Sequence, residues 1–225
     1  MAGAFFVKNN MPLFILDDSM DFPPAELARP DGLLAIGGDL SVPRLISAYK
    51  SGIFPWYNEG EPILWWSPDP RLVLYPEELH ISKRLQRTIK QKRFKITFNA
   101  AFEQVIRMCA DVRREKGQDT WIDEDMIRAY IRLYEQGLCL SAEAWYQDKL
   151  AGGLYGVWLE KVFFGESMFY LIKDASKVAF AATVQKLQSE GTKLVDCQVP
   201  TRHLERFGAR LISRQKFLEQ LKKWA

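Results

Sequence analysis

Apolar positions change period several times along this chain, and each change marks an element. Leu13–Leu16 is an apolar run of strand length, followed by the turn Phe22-Pro23-Pro24. Gly32, Gly37 and Gly38 bracket Leu33–Ile36, which predicts a second short strand ending in a turn. Ser41 supplies an N-cap and Pro43 a first-turn proline for a helix that runs to about Ser51 and stops at Gly52. Between Ile53 and Pro70 the apolar strings Ile53-Phe54-Pro55-Trp56-Tyr57 and Ile63-Leu64-Trp65-Trp66 are broken by Pro62, Pro68 and Pro70. That pattern predicts an irregular segment or linker, and a boundary near residue 70 between a small N-terminal domain (1–70) and a larger one (71–225).

Beyond the boundary, Leu72–Tyr75 reads as a strand, and Ser82 caps a helix reaching about Lys92. Phe94–Phe98 alternates as a strand, and Asn99 then predicts a cap for a helix through about Arg114. A further helix spans roughly Asp123–Gln136 and ends at Gly137. Leu140–Tyr146 and Leu150–Leu159 flank Gln147-Asp148-Lys149, a hairpin signal, and Lys161–Phe169 continues as a third antiparallel strand. Asp174 opens a long amphipathic helix stopping at Gly191. Lys193–Gln198 and Ala209–Ser213 are strands, and a helix closes the chain. Hairpin strands, a helix and further strands give an α+β class.

Composition adds less than position. The 225 residues are 48% hydrophobic and 26% charged, enough for a full core without disulfides or metals. The net charge of +3 does not by itself imply an anionic partner. Cys109, Cys139 and Cys197 form no CxxC pair, which suits reduced thiols and a cytoplasmic chain, and two histidines exclude a multi-histidine metal site. Ala4–Val7 and Leu13–Leu16, split by Lys8-Asn9-Asn10, are too short for a signal-peptide core or a membrane span. Phosphate-loop, dinucleotide, HExxH and zinc-finger patterns are missing from the sequence.

Four constellations can carry chemistry. Lys83, Arg84, Arg87, Lys90, Lys92, Arg93 and Lys95 have no acid among them, and Arg107, Arg113, Arg114 and Lys116 follow. They are either a solvated helix face or an electrostatic footprint for a phosphate backbone. Tyr49, Phe54, Trp56, Tyr57, Trp65 and Trp66 are either core or stacking platforms for unpaired bases. In the strand Lys193–Gln198, Asp196 and Gln198 are two apart, so alternation predicts one shared face, with Cys197 pointing away. A Cys197–His203 nucleophile is disfavoured on that ground. Glu166 stands alone among apolar residues and needs a cation or hydrogen-bond donors, an arginine of the fold being the plain expectation. Gly152-Gly153 and Gly165 would permit close backbone approach to a ligand.

Ordered strings say more than any of these alone. Gly32-Leu33-Leu34-Ala35-Ile36-Gly37-Gly38-Asp39-Leu40, Gly52-Ile53-Phe54-Pro55-Trp56, Trp65-Trp66-Ser67-Pro68-Asp69-Pro70-Arg71, His80-Ile81-Ser82, Thr120-Trp121-Ile122, Gly165-Glu166-Ser167-Met168-Phe169 and Asp196-Cys197-Gln198 with His203 together resemble the bacterial leucyl/phenylalanyl-tRNA–protein transferases, from about Asp31 to the C-terminus. The resemblance implies a small N-terminal domain and a C-terminal domain like the GNAT N-acetyltransferases, with a mixed, largely antiparallel sheet. It implies a cytoplasmic monomer using no coenzyme A, ATP or metal. The donor would be tRNA charged with leucine or phenylalanine (and methionine), the acceptor a protein beginning with Arg or Lys, and the product an N-end rule degradation signal. It assigns Asp196, Gln198 and Glu166 to the reaction centre. Leu154, Phe163, Met168, Phe180, Thr183 and Val195 would form the amino-acid pocket; Phe163 and Met168 share it only if a bulge intervenes. Tyr49, Trp56, Trp121 and Tyr130 would lie near the tRNA 3′ end, and Lys83, Arg84, Arg87 and Lys90 would meet its backbone. The rival readings are an acyl-CoA-dependent N-acyltransferase and a non-catalytic tRNA-binding protein.

Overall fold

A computed structural model describes residues 3–7, 11–115, 117 and 120–225. Lys8-Asn9-Asn10 and Lys116 lie outside them. The strands β1 (Gly3–Val7), β2 (Met11–Leu16), β3 (Leu33–Gly37), β4 (Phe54–Pro55) and β5 (Leu64–Trp66) form one sheet in the order β1-β2-β3-β5-β4, with helix α1 (Val42–Lys50) packed on it. The stretch expected to be an irregular linker therefore contributes two strands. Phe54 pairs with Trp66, Pro55 with Trp65, and Leu33, Ala35 and Ile36 continue the sheet. Prolines did not prevent this because Pro62, Pro68 and Pro70 fall outside the paired residues and Pro55 sits on the edge strand, where no ladder donor is needed.

The second sheet holds β6 (Arg71–Leu74), β7 (Lys95–Phe98), β8 (Cys139–Tyr146), β9 (Lys149–Leu159), β10 (Val162–Tyr170), β11 (Leu194–Gln198) and β12 (Arg210–Ile212), ordered β12-β6-β11-β10-β9-β8-β7. Among the described residues of this sheet only β10–β11 is parallel; the other pairs are antiparallel, which gives the expected mixed α+β sheet. Helices α3 (Phe102–Glu115) and α4 (Glu124–Glu135) cover one face together with the N-terminal sheet, and α5 (Ala175–Ser189) covers the other with α2 (Lys83–Lys90) beside it. Short α6 (Arg202–Glu205) and terminal α7 (Arg214–Trp224) complete the chain. Because both faces are covered, β8 and β9 are buried almost throughout, and small residues appear where helices approach closely.

Three local expectations change. Gly152-Gly153 does not clear space for a ligand. A Cβ at Gly152 would lie 2.8 Å from Ala175 Cβ, and one at Gly153 would lie 2.7 Å from the Ala142 carbonyl, so the pair admits α5 and a neighbouring strand. Asn99 does not cap α3: its Oδ1 accepts from the Ser141 N–H, and the buried Glu143 carboxylate accepts from the Ala100 and Ala101 N–H groups instead. Helix α5 is not a two-faced surface helix; Ala175, Val178, Ala179, Phe180, Ala181, Thr183, Val184 and Leu187 are all buried, so it runs through the core.

Candidate active site

The β10–β11 pair sets the site. Val162, Phe163 and Phe164 pair with Leu194, Val195 and Asp196, and then both strands lose register with their other neighbours. On β10 the shift falls between Gly165 and Ser167, leaving Glu166 as the extra residue; on β11 it falls between Asp196 and Gln198. Gln198 has φ 62°, in the left-handed region that few non-glycine residues occupy. Two bulges at one level part the strands, and a cavity of about 350 Å³ opens there.

Leu154, Phe163, Met168, Phe180 and Val195 line its apolar side, Trp56 and Trp121 also line it, and Glu166, Ser167 and Gln198 give it polar groups. The β10 bulge is what lets Phe163 and Met168 face one space. Trp56 is 47% exposed, with the Trp66 ring tilted against it. Thr183 is not in the lining. It is buried in α5 and its Oγ1 donates to the Ala179 carbonyl.

Glu166 sits at the centre of a hydrogen-bonded cluster. Tyr49 donates to its Oε1 at 2.8 Å, Tyr130 to its Oε2 at 2.9 Å, and Gln198 Nε2 to its Oε1 at 3.1 Å. The two tyrosine hydroxyls are also in contact, so their two protons serve three close oxygen pairs, and a proton on the Glu166 carboxyl would complete the set. The expected arginine partner is absent from this set. With only neutral donors, burial pushes the carboxyl up to about 7, aided by the nearby Asp196 anion and opposed by the three hydrogen bonds. Burial and the same carboxylate hold the Tyr49 and Tyr130 phenols well above their ordinary range, so both stay donors. Both rings are fully buried, so neither offers a free face for stacking; they lie behind the carboxylate.

Asp196 does not share a face with Gln198, because the bulge cancels the alternation. Its carboxylate is 0% exposed and paired with Arg71: Nε to Oδ1 at 2.9 Å and Nη2 to Oδ2 at 2.7 Å. The Gln198 N–H donates to the same Oδ1 at 2.9 Å, so Asp196 fixes the start of the Gln198 turn. Arg71 also donates to the Gly52 carbonyl at 3.2 Å and lies against the rings of Phe54 and Phe217 at 4.7 and 4.6 Å. Cys197, expected to point away, lines the cavity. Burial holds its thiol well above the ordinary range, which removes the thiolate a nucleophile needs.

Sequence reasoning missed Arg71, Arg113, Tyr155 and Ser167 as parts of this site. Arg71 ends the segment Trp65–Arg71, and its role needs the pairing of β6 with β11. Arg113, Tyr155 and Ser167 line the cavity, and the buried Tyr155 and Ser167 hydroxyls have no hydrogen-bond partner among the described residues. None of the basic run lines this cavity. Lys83, Arg87 and Lys90 are exposed on α2, whereas Arg84 is partly neutralised by the Asp174 carboxylate at 2.8 Å.

Comparison with known proteins adds an independent line. The family described as leucyl/phenylalanyl-tRNA protein transferase matches residues 73–222, and its N-terminal domain matches residues 38–69. The chain is 55% identical over 211 residues to a leucyl/phenylalanyl-tRNA–protein transferase of Syntrophobacter fumaroxidans, covering 94% of this chain and 90% of that one. It is 53% identical over 206 residues to the protein of the same name from Pseudomonas syringae pv. syringae, covering 91% and 90%. Among solved structures, an aminoglycoside acetyltransferase from an uncultured soil metagenomic sample overlaps 52% of this chain and 86% of its own at TM-score 0.41 and 19% identity.

Proposed function

The chain belongs to the leucyl/phenylalanyl-tRNA–protein transferase family, and on that premise we propose that it moves leucine or phenylalanine from the 3′ end of charged tRNA to the N-terminal Arg or Lys of an acceptor protein, as a monomer in the cytoplasm. Residues 1–70 and 71–225 are taken as the two units of this enzyme, with the reaction in the second and Trp56 contributed by the first. The observation that carries the reading is the apolar cavity of Leu154, Phe163, Met168, Phe180 and Val195 set directly against Glu166 and Gln198.

The chemistry asks little beyond alignment and proton management. An aminoacyl ester is already activated, and an α-amino group, with a pKa of about 7.7–8.0, is roughly one-tenth neutral at pH 7. The amine nitrogen attacks the ester carbonyl, the C–N bond forms and the bond to the ribose oxygen breaks. A carboxylate titrating at about 7 is matched to accept the amine proton and to return one to the leaving ribose oxygen, which assigns that role to Glu166. Gln198 holds Glu166 through Nε2 and keeps its own carbonyl for the amine. Asp196 is a positioning residue acting through Gln198 and Arg71. The slot accepts unbranched Cβ side chains by shape. Leucine and phenylalanine both satisfy it, and the exposed Trp56 ring suits the terminal adenine.

The test is to incubate purified protein with radiolabelled leucyl-tRNA and an Arg-initiated peptide. Label in the peptide is the expected result. Binding of the tRNA without transfer, or acylation only from an acyl-CoA, contradicts the reading.

A further inference from the structure

A second cavity, of about 340 Å³, lies against the first with His203 in the lining of both. Arg84 of α2, Lys177 of α5 and Arg206 just past α6 line it, with Asp174 as the one carboxylate. Three cations against one anion leave an excess of positive charge. Asp174 is already shared, accepting from Lys177 at 2.8 Å and Arg84 at 2.8 Å, while Arg206 has no ion pair among the described residues. Asp174 at the N-cap and Lys177 in the first turn of α5 both line this space. His203 offers an independent sign of an unfilled partner. Its Nε2 is buried yet has no hydrogen-bond partner among the described residues, in a region where such groups are ordinarily satisfied.

We propose that this cleft binds the phosphodiester groups immediately 5′ of the terminal adenosine, so that Lys177, Arg206 and His203 guide the single-stranded 3′ end of the donor RNA into the reaction cavity. The inference rests on the transferase reading, which places an adenosine ester in the first cavity. The next anionic groups along an RNA strand are then the phosphates of the preceding nucleotides, and the adjoining cavity is the cationic one. The exposed run on α2 is separate in kind, because it offers charge without enclosure. In the cleft, burial and then the Lys177 and Arg206 charges hold the His203 imidazole below its ordinary range, and a bound phosphate offsets those two charges.

Two measurements on the full chain test the cleft. The first compares transfer from leucyl-tRNA with transfer from 3′-O-leucyladenosine, which has no phosphate, in wild type and in Arg206→Gln and Lys177→Gln. The ratio of the two rates at low donor concentration is expected to fall about tenfold in each variant, as for loss of one charge-assisted hydrogen bond. The second follows the His203 imidazole by NMR; because the other histidine, His80, also lines the cleft, the His203 signal is assigned as the one that His203→Asn removes. The trinucleotide CCA is expected to raise its titration midpoint and adenosine to leave it in place. An unchanged rate ratio together with an unmoved His203 overturns the cleft alone. Transfer from neither donor by the wild type overturns the transferase reading, and the cleft with it.

Discussion

Asp196 and Glu166 stand where the parallel pairing of β10 and β11 ends, each beside a bulge, yet they are held in opposite ways. Asp196 meets a matched guanidinium in bidentate geometry and is sealed from solvent. Glu166 is half-buried on the cavity wall and meets only hydroxyls and an amide. A carboxylate neutralised by an ion pair is a fixed joint, whereas one bonded by neutral donors in a poorly solvated place keeps a proton within reach of neutral pH. The same residue class therefore serves as framework in one position and as exchangeable acid and base in the other. The difference lies in which side chain arrives across the sheet.

The largest effect is expected at the joint. Arg71→Met leaves the Asp196 charge buried and alone and should cost about 3–5 kcal/mol of stability by urea unfolding. Adding Asp196→Leu should restore most of that stability but not transfer, since the Gln198 N–H has lost its acceptor. A stable single variant would break the contrast.

At the other carboxylate the order reverses. Glu166→Gln should slow transfer by about 10²–10⁴-fold with the fold intact. Because the carboxyl titrates at about 7 in the folded chain against an ordinary value of 4.5, its contribution to stability is fully present below about 4.5 and is lost as pH rises through about 7. The wild type should therefore lose stability relative to Glu166→Gln across that window. Equal pH dependence in thermal melts from pH 4 to 8 would show that Glu166 is not held this way.

Smaller effects separate the cavity from the surface. Met168→Trp should fill the slot and reduce transfer of both leucine and phenylalanine from one tRNA body, and in the wild type valine and isoleucine on that body should be transferred about 10–200-fold less well. Equal use of valine would move recognition to the tRNA body. Smallest of all, Lys83→Glu with Arg87→Glu should weaken binding of all tRNAs alike and flatten the salt dependence by roughly 0.7–0.9 per lost contact. An unchanged slope would make this run a solvated face.

Much of this was legible in the chain, and the gaps have physical causes. The helix cap at Ser82 and the Gln147-Asp148 turn, with both turn residues at positive φ, follow from local chemistry and appear where local chemistry puts them. The candidate pocket residues came from family resemblance, and Leu154, Phe163, Met168, Phe180 and Val195 do converge in space. What failed was strict alternation across β11, since a bulge is one residue of backbone and leaves no mark in the pattern of apolar positions. The partners of Glu166 and Asp196 were equally hidden. Tyr49, Tyr130 and Arg71 lie 117, 36 and 125 residues away in sequence, and only strand pairing and helix packing bring them together.

The most direct measurement is the single-turnover rate of leucine transfer to an Arg-initiated peptide as a function of pH, in the wild type and in Glu166→Gln. Any break common to both belongs to the acceptor amine. The wild type should show an additional break near pH 7 that Glu166→Gln lacks, with its rate low and free of that step. Superimposable profiles, differing only by a constant factor, would contradict a proton passing through Glu166.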